Sequence, residues 1–554
     1  MRRLRGTLVV LGTLLLAGCA SIPSSGAVQS GIELGDTSTI ELDILARGPQ
    51  AGDTPEQILE GFLAASASPQ LDFRIAREFL TPDFSKDWKP DSGTTVDQSG
   101  ERSTTQLAEG NLSLRIQPVA TVGDDGQYSA APAASAETRN YQLQKISGEW
   151  RISAAPQGII IDQATFGIVF GAYPLQFFSP DGLALVPDVR WFARRETTQT
   201  AIVRALLAGP SSWLESGVVS AFPTGTRLDA DSVPVSGATA TISLAVDAIP
   251  TSESLSRMQS QFVSSLSAVS GITSVSIAIN GTVENVSPLL PAPSTELRVD
   301  ARPLVYADGT LGFVSGVSNE VQALPGLSAQ LAELSPNAIA LGPNGAVAAV
   351  RSIGGIYRVA TGSSQLVVSG SDWMAPSIDR FDGIWTARNS NRVTWEGTDG
   401  GTAEFVTGWG DAALRSVTVS RDGSRIAAVL QTGSVSRLVV SAIARGGDGS
   451  PTNLGSPLLV AEFDGNATAM NWADSRTVAV LLAGEGTSSV LTAVVGGQSS
   501  RIDAPIGATY LSVGNGIREL RVLDGDGQVL QSSGSIWQLR KTGVQVLATQ
   551  LGVD

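Results

Sequence analysis

The chain has 554 residues, 42% hydrophobic and 16% charged, which suits about three or four globular domains and excludes wholesale disorder. Its formal net charge of −15 repels phosphate backbones, so no nucleic-acid partner is expected. With 0 histidines and 1 cysteine it can build no Ser-His-Asp or Cys-His centre, no imidazole or thiolate metal site and no internal disulfide, which leaves carboxylate, lysine or tyrosine chemistry, or none.

Arg2, Arg3 and Arg5 lead into an apolar run from Gly6 to Leu16 that closes on Leu16-Ala17-Gly18-Cys19. The run is too short to span ~30 Å of hydrocarbon. Its positive start, apolar middle and small-residue end predict a cleaved signal over 1–18. No later apolar stretch approaches about 18 residues, so no other segment is expected to span a membrane. Leu-Ala-Gly-Cys resembles a bacterial lipobox. The resemblance implies that Cys19 becomes the new N-terminus, as an N-palmitoyl, S-diacylglycerol cysteine. The expected location is the extracytoplasmic face of the cell membrane, lipid-anchored rather than spanning. At about 0.8 kcal/mol per buried CH₂, several acyl chains hold firmly where one does not. Residues 19–50 are polar and mixed, and a flexible tether is expected there.

Order is predicted from Thr54-Pro55-Glu56-Gln57, which has a capping threonine, a proline suited to the first helical position and a capping-box glutamine. Ile58, Leu59, Phe62 and Leu63 then make one apolar stripe. A second helix is expected from Phe73 to Leu80, stopping before Pro82. From Leu112 the period becomes two. Tyr141, Leu143 and Lys145 alternate with glutamines, and Ser147-Gly148 turns into Glu149-Trp150-Arg151-Ile152, a hairpin signal. Two helices followed by a curved antiparallel sheet resemble the cone-shaped α+β fold of the nuclear-transport-factor family, here over 51–157. Catalytic members of that fold use Asp/His pairs, so a histidine-free cone pocket is expected to bind rather than react.

A second α+β unit is read over 175–287. Leu185 to Trp191 suits a strand, and Thr197 to Leu207 a helix stopped by Gly209-Pro210. Ala240, Ile242, Leu244 and Val246 alternate on a further strand. Ser252 is expected to cap a helix whose Leu255, Met258, Phe262, Leu266 and Val269 share one face, ended by Gly271. Val275, Ile277 and Ile279 complete the unit. Arg204-Ala205-Leu206-Leu207-Ala208-Gly209-Pro210, together with Phe222-Pro223-Thr224-Gly225-Thr226, resembles the GerMN domain of spore-germination and cell-envelope proteins.

Residues 288–554 repeat a turn followed by a small-residue strand. Asp308-Gly309, Asn344-Gly345, Asp382-Gly383, Asp422-Gly423, Asp474-Ser475 and Asn515-Gly516 are spaced by 36, 38, 40, 52 and 41 residues. Four short strands take roughly 40–50 residues and helical periodicity is missing, which predicts an all-β propeller of about six blades.

Chemical signals are few. Asp524-Gly525-Asp526-Gly527 resembles the start of a calcium loop, but position 12 is Ser535 where a bidentate glutamate belongs, so a hairpin turn is the preferred reading. Gly123-Asp124-Asp125-Gly126 is read as another turn. A glycan hydrolase needs two acids about 5–10 Å apart, and no spacing among the 52 acidic residues singles out a pair. Neither a G-x-S-x-G elbow nor a Walker A loop is present. Trp373, Trp385, Trp395 and Trp409 crowd into 37 residues, and packing between blades is preferred over an exposed binding platform.

Lipobox, cone-like domain, GerMN domain and propeller, in that order, resemble the LpqB lipoprotein family of high-GC Gram-positive bacteria. The resemblance implies an accessory, non-enzymatic lipoprotein that contacts the extracytoplasmic domain of the MtrB sensor kinase of the MtrA–MtrB two-component system, in cell-wall homeostasis and division. It implies no cofactor, metal or catalytic residue, and carries over only Cys19. Two alternatives stand beside it, a protein that binds peptidoglycan or another cell-wall glycan and a carboxylate-dependent glycan hydrolase. A large apolar patch would favour the kinase partner, a cleft with exposed tryptophans the glycan, and two close acids in the propeller mouth the hydrolase.

Overall fold

The computed structural model describes residues 47–132, 136–484, 486–534 and 536–552, so the signal, Cys19 and nearly all of the tether lie outside the described residues. Thr54 forms the expected capping box: its hydroxyl accepts from the Gln57 amide while the Gln57 side chain accepts from the Thr54 amide. The helix Pro55–Ala65 buries Ile58, Leu59, Phe62 and Leu63. The second helix is shorter than expected, Arg74–Arg77, because Leu71, Asp72 and Phe73 all take positive φ and hold the chain in a turn. Pro82 does not merely stop it. Capped by Thr81, it opens a third helix, Pro82–Asp87.

Eight strands complete this α+β domain: β1 (Gly93–Asp97), β2 (Ser103–Ala108), β3 (Asn111–Ile116), β4 (Pro118–Gly123), β5 (Tyr128–Ala130), β6 (Glu137–Ile146), β7 (Glu149–Ala154) and β8 (Ile159–Asp162). They divide between two four-stranded sheets, β5-β4-β1-β8 and β2-β3-β6-β7, where one continuous curved sheet was expected. The β6–β7 hairpin turns at Ser147-Gly148, both with positive φ, as the hairpin signal requires.

The helix Gln163–Val169 leads into a ribbon that the sequence shows only by half. Strand β9 (Phe170–Phe178) pairs along its whole length with β10 (Leu185–Ala193), from Ala193↔Phe170 to Leu185↔Phe178. The helix Thr198–Ala208 ends on Gly209, whose φ of 97° is glycine territory. Strands β11 (Arg227–Leu228), β12 (Val235–Ser236), β13 (Thr239–Ala245), β14 (Ser274–Ile279) and β15 (Thr282–Val283) make a sheet around the parallel pair β13–β14. The cap of the helix Ser252–Leu266 is Thr251, one residue earlier than expected. Leu255, Met258, Phe262 and Leu266 pack beneath that helix as the spacing predicts.

Six further sheets form the propeller, with first strands Val546–Leu547, Ala338–Leu341, Ser377–Ile378, Ala413–Val419, Asn466–Trp472 and Ala508–Val513; Thr549–Gln550 adds a short parallel strand to the inner edge of the second. Five of the six turn signals join the first and second strands of a blade. Asp308-Gly309 does not. It joins the second and third strands of blade 1, because Val546–Leu547 supplies that blade's first strand from the far end of the chain and closes the ring.

All three domains meet on β10. Asp188 and Arg190 are both almost fully buried and 2.8 Å apart. Asp188 also accepts from the amide and hydroxyl of Ser211, while Arg190 donates to the carbonyl and carboxylate of Asp125 in the β4–β5 turn. Trp191 stacks with Tyr128 and Phe166, and its indole N–H donates to the carbonyl of Gly496 in the propeller. Val186, Trp213 and Leu214 share a core with blade residues such as Val440, Trp472 and Val480.

Removing one member of a buried pair strands the other charge. Arg190→Met is expected to cost about 3–5 kcal/mol in urea denaturation, and the double variant Asp188→Leu/Arg190→Met much less; equal losses would show that the pair is not what holds β10. Burial also pushes the Tyr128 and Tyr141 phenols up to about 12 from 10.0; for Tyr141, Arg139 and Arg102 oppose the rise and Asp97 adds to it. A folded pKa above the unfolded one gives stability that is complete below pH 10.0 and lost as pH rises through about 12. Melting temperatures should therefore fall across that window, and less steeply in Tyr128→Phe.

Candidate functional site

Propellers commonly take ligands at the mouth of the central channel. Here the face carrying the turns between first and second strands is stoppered by the segment before blade 1. Arg421, in the turn of blade 4, donates to the carbonyls of Leu297, Trp472, Ala473 and Gly514. Ser475 holds the Glu296 carboxylate, and Asn515 both accepts from and donates to the backbone of Val299. Leu297 and Val299 are buried by the crossing. A pocket among the inner strands around Ile378, Val419 and Leu551 has about 20 Å³, room for a water and little else.

Asp379, on that face, is committed to structural contacts. Asp379 accepts from the indoles of Trp385 and Trp395, from the Phe381 and Gly383 amides and from Arg445. Burial raises the pKa of neighbouring Asp382, with Arg358 opposing and Asp379 adding to the rise. Asp379 therefore ties the third blade to the fourth through Arg445.

A concavity of about 600 Å³ lies elsewhere, between the first domain and the second. One wall is the β4–β5 turn, Gly123 to Gly126, with Asp91 and β1. The other is the exposed face of the helix Thr198–Ala208, with Asp231 and Ser232 beyond it; Trp191 and Phe192 form the floor. Gly126 is required where the walls meet, since its φ is +83° and a Cβ there would lie 3.0 Å from the Trp191 carbonyl oxygen. Arg195 spans the cleft, paired with Asp91 at 2.5 Å and stacked over Phe73 at 5.1 Å. Arg204 donates to the Asp231 carbonyl.

Trp385, Trp395 and Trp409 are buried in the core between the third and fourth blades, as expected, with Trp409 donating to Ser441 of the fourth; Trp373 is half-buried under Arg388. Asp524 turns its carboxylate onto the amides of Asp526 and Gln528, a hairpin turn; Ser535 lies outside the described residues, as does Cys19. Gly123-Asp124-Asp125-Gly126 is a turn as read, but its place as a cleft wall was not visible. Asp91, Arg195, Arg204 and Asp231 carried no sequence signal, because docking of two domains is what assembles them. No cluster of acids suited to a metal ion occurs among the described residues, and no helix there is long and apolar enough to cross a membrane.

Three family models match the chain: the lipoprotein LpqB N-terminal domain over 48–167, a sporulation and spore germination domain over 174–285, and the lipoprotein LpqB beta-propeller domain over 312–547. Lipoprotein LpqB of Rhodococcus jostii is 27% identical over 91% of this chain and 88% of its own length. The Cutibacterium acnes protein of the same name is 25% identical over 80% of each chain. Among solved structures, TolB from Acinetobacter baumannii aligns with 46% of this chain and 65% of its own at 13% identity and a TM-score of 0.32, too weak a likeness to carry an argument.

The stopper rests on Arg421. Arg421→Ala leaves buried carbonyls without a donor, at about 1–3 kcal/mol for each that water does not reach. The expected result is a marked drop in the urea midpoint with faster hydrogen exchange at Leu297 to Val299; unchanged exchange there would mean the segment is held by other contacts.

Proposed function

Because the chain belongs to the lipoprotein LpqB family, we propose that it is an extracytoplasmic accessory lipoprotein, anchored through lipidated Cys19, that binds the ectodomain of an MtrB-type sensor kinase in cell-envelope homeostasis and division. The observation that supports this reading is the stoppered propeller. A ring whose mouth is crossed by its own chain favours its outer surfaces for contact, and β10 ties it to the first two domains. Such a body suits protein contact without catalysis. It acts on a kinase only through differential affinity for the kinase's signalling states.

The test is the affinity of residues 20–554 for the purified kinase ectodomain. Deleting the propeller is a poor control, since Trp213 and Leu214 would lose the core they share with it. Surface substitutions on single blades are the better map. Saturable binding, micromolar or tighter, is expected. Absence of binding between two folded proteins would overturn the kinase reading. In cells, Cys19→Ser should abolish palmitate labelling and release a folded protein from the membrane; retained label would overturn the anchor.

A further inference from the structure

We propose that the cleft between the first and second domains is a binding site for a neutral oligosaccharide. Its size comes first: about 600 Å³ is in the range of ligand sites. Its polar groups then narrow the chemistry. Two of the charges nearest the seam are already answered within the protein, Asp91 by Arg195 and Asp125 by Arg190. What faces the opening is a mixture of acceptors and donors at short range. Asp124 and Asp231 are exposed, and the Thr197 hydroxyl makes no capping bond to its helix. Arg204 places one nitrogen on the Asp231 carbonyl and has N–H groups remaining.

Vicinal hydroxyls, each both donor and acceptor, match that lining. Other ligand classes match it less well. With Asp91 and Asp125 paired, an anion meets Asp124 and Asp231 against Arg204 alone. An apolar ligand would strip water from Asp124, Asp231 and Arg204, at about 1–3 kcal/mol for each group left unpaired. An extended peptide needs a strand edge to pair with, and the cleft does not present one. β1 lies inside its sheet between β4 and β8. The free side of β10 is already taken by the Gly126 carbonyl and the Gln127 bridge. Phe192, half-buried against Tyr173 and the second domain's core, is the partly exposed aromatic ring in the lining and the one offered to the C–H face of a sugar. Its neighbour Trp191 is buried among Tyr128 and Phe166, so the lining carries no exposed tryptophan.

This inference does not rest on the kinase reading, and its experiment contains no kinase. The full-length protein in detergent micelles is titrated with N-acetylglucosamine, mannose and galactose tetramers, followed by saturation-transfer NMR and calorimetry. A neutral tetrapeptide and a glycerol-phosphate oligomer serve as controls. Saturable binding of at least one saccharide is expected. It should weaken by about tenfold or more in Arg204→Ala and in Ala208→Trp, two exposed positions where the melting temperature should not change. The proposal is overturned if no neutral saccharide binds at millimolar concentration, if only a control binds, or if both variants bind as the parent does.

Discussion

The buried pair of Asp188 and Arg190 is the constraint on which the rest of this structure depends. Placing two charges out of water is costly unless every remaining donor and acceptor is met. Here the obligation recruits all sides. Ser211 completes Asp188, and that fixes the entry to the segment carrying Trp213 into the propeller. Asp125 completes Arg190, and that fixes the turn of the first domain. Polar satisfaction at one strand thus sets the register of three hydrophobic cores that could otherwise slide over one another, since apolar contact alone is non-directional.

Local patterns were the legible part. The capping box at Thr54, the alternation of Ala240, Ile242 and Leu244, the helical stripe from Leu255 to Leu266 and the recurring Asp-Gly or Asn-Gly turns each depend on residues near one another in the chain, and each is present. Where the reading slipped, a neighbour's geometry decided the matter. Thr81-Pro82 looked like a stop and is a start, because threonine and proline serve a helix N-terminus equally well. Asp308-Gly309 fitted the repeat in spacing but not in role, since ring closure by Val546–Leu547 shifts blade 1 by one strand.

Neither the cleft nor the stopper could be read this way. Asp91 and Arg195 are 104 residues apart, and Leu297 meets Arg421 across 124. No window of sequence holds both partners, and single arginines or aspartates on exposed turns are what any acidic protein displays. The four crowded tryptophans carried a stronger signal. Three of them pack between the third and fourth blades as expected, and the indoles of Trp385 and Trp395 converge on Asp379.

The closing strand of the propeller bears on the order in which the molecule is made. Val305 pairs with Leu547, so the ring cannot shut until almost the whole propeller has been synthesised. Until then blade 1 shows an unpaired inner edge, a template for pairing with another chain. Contacts so distant in sequence form slowly. The interval between the first blade and the last is therefore when this protein is most exposed to aggregation and to proteases, and a nick or frameshift in its final residues would prolong that interval indefinitely.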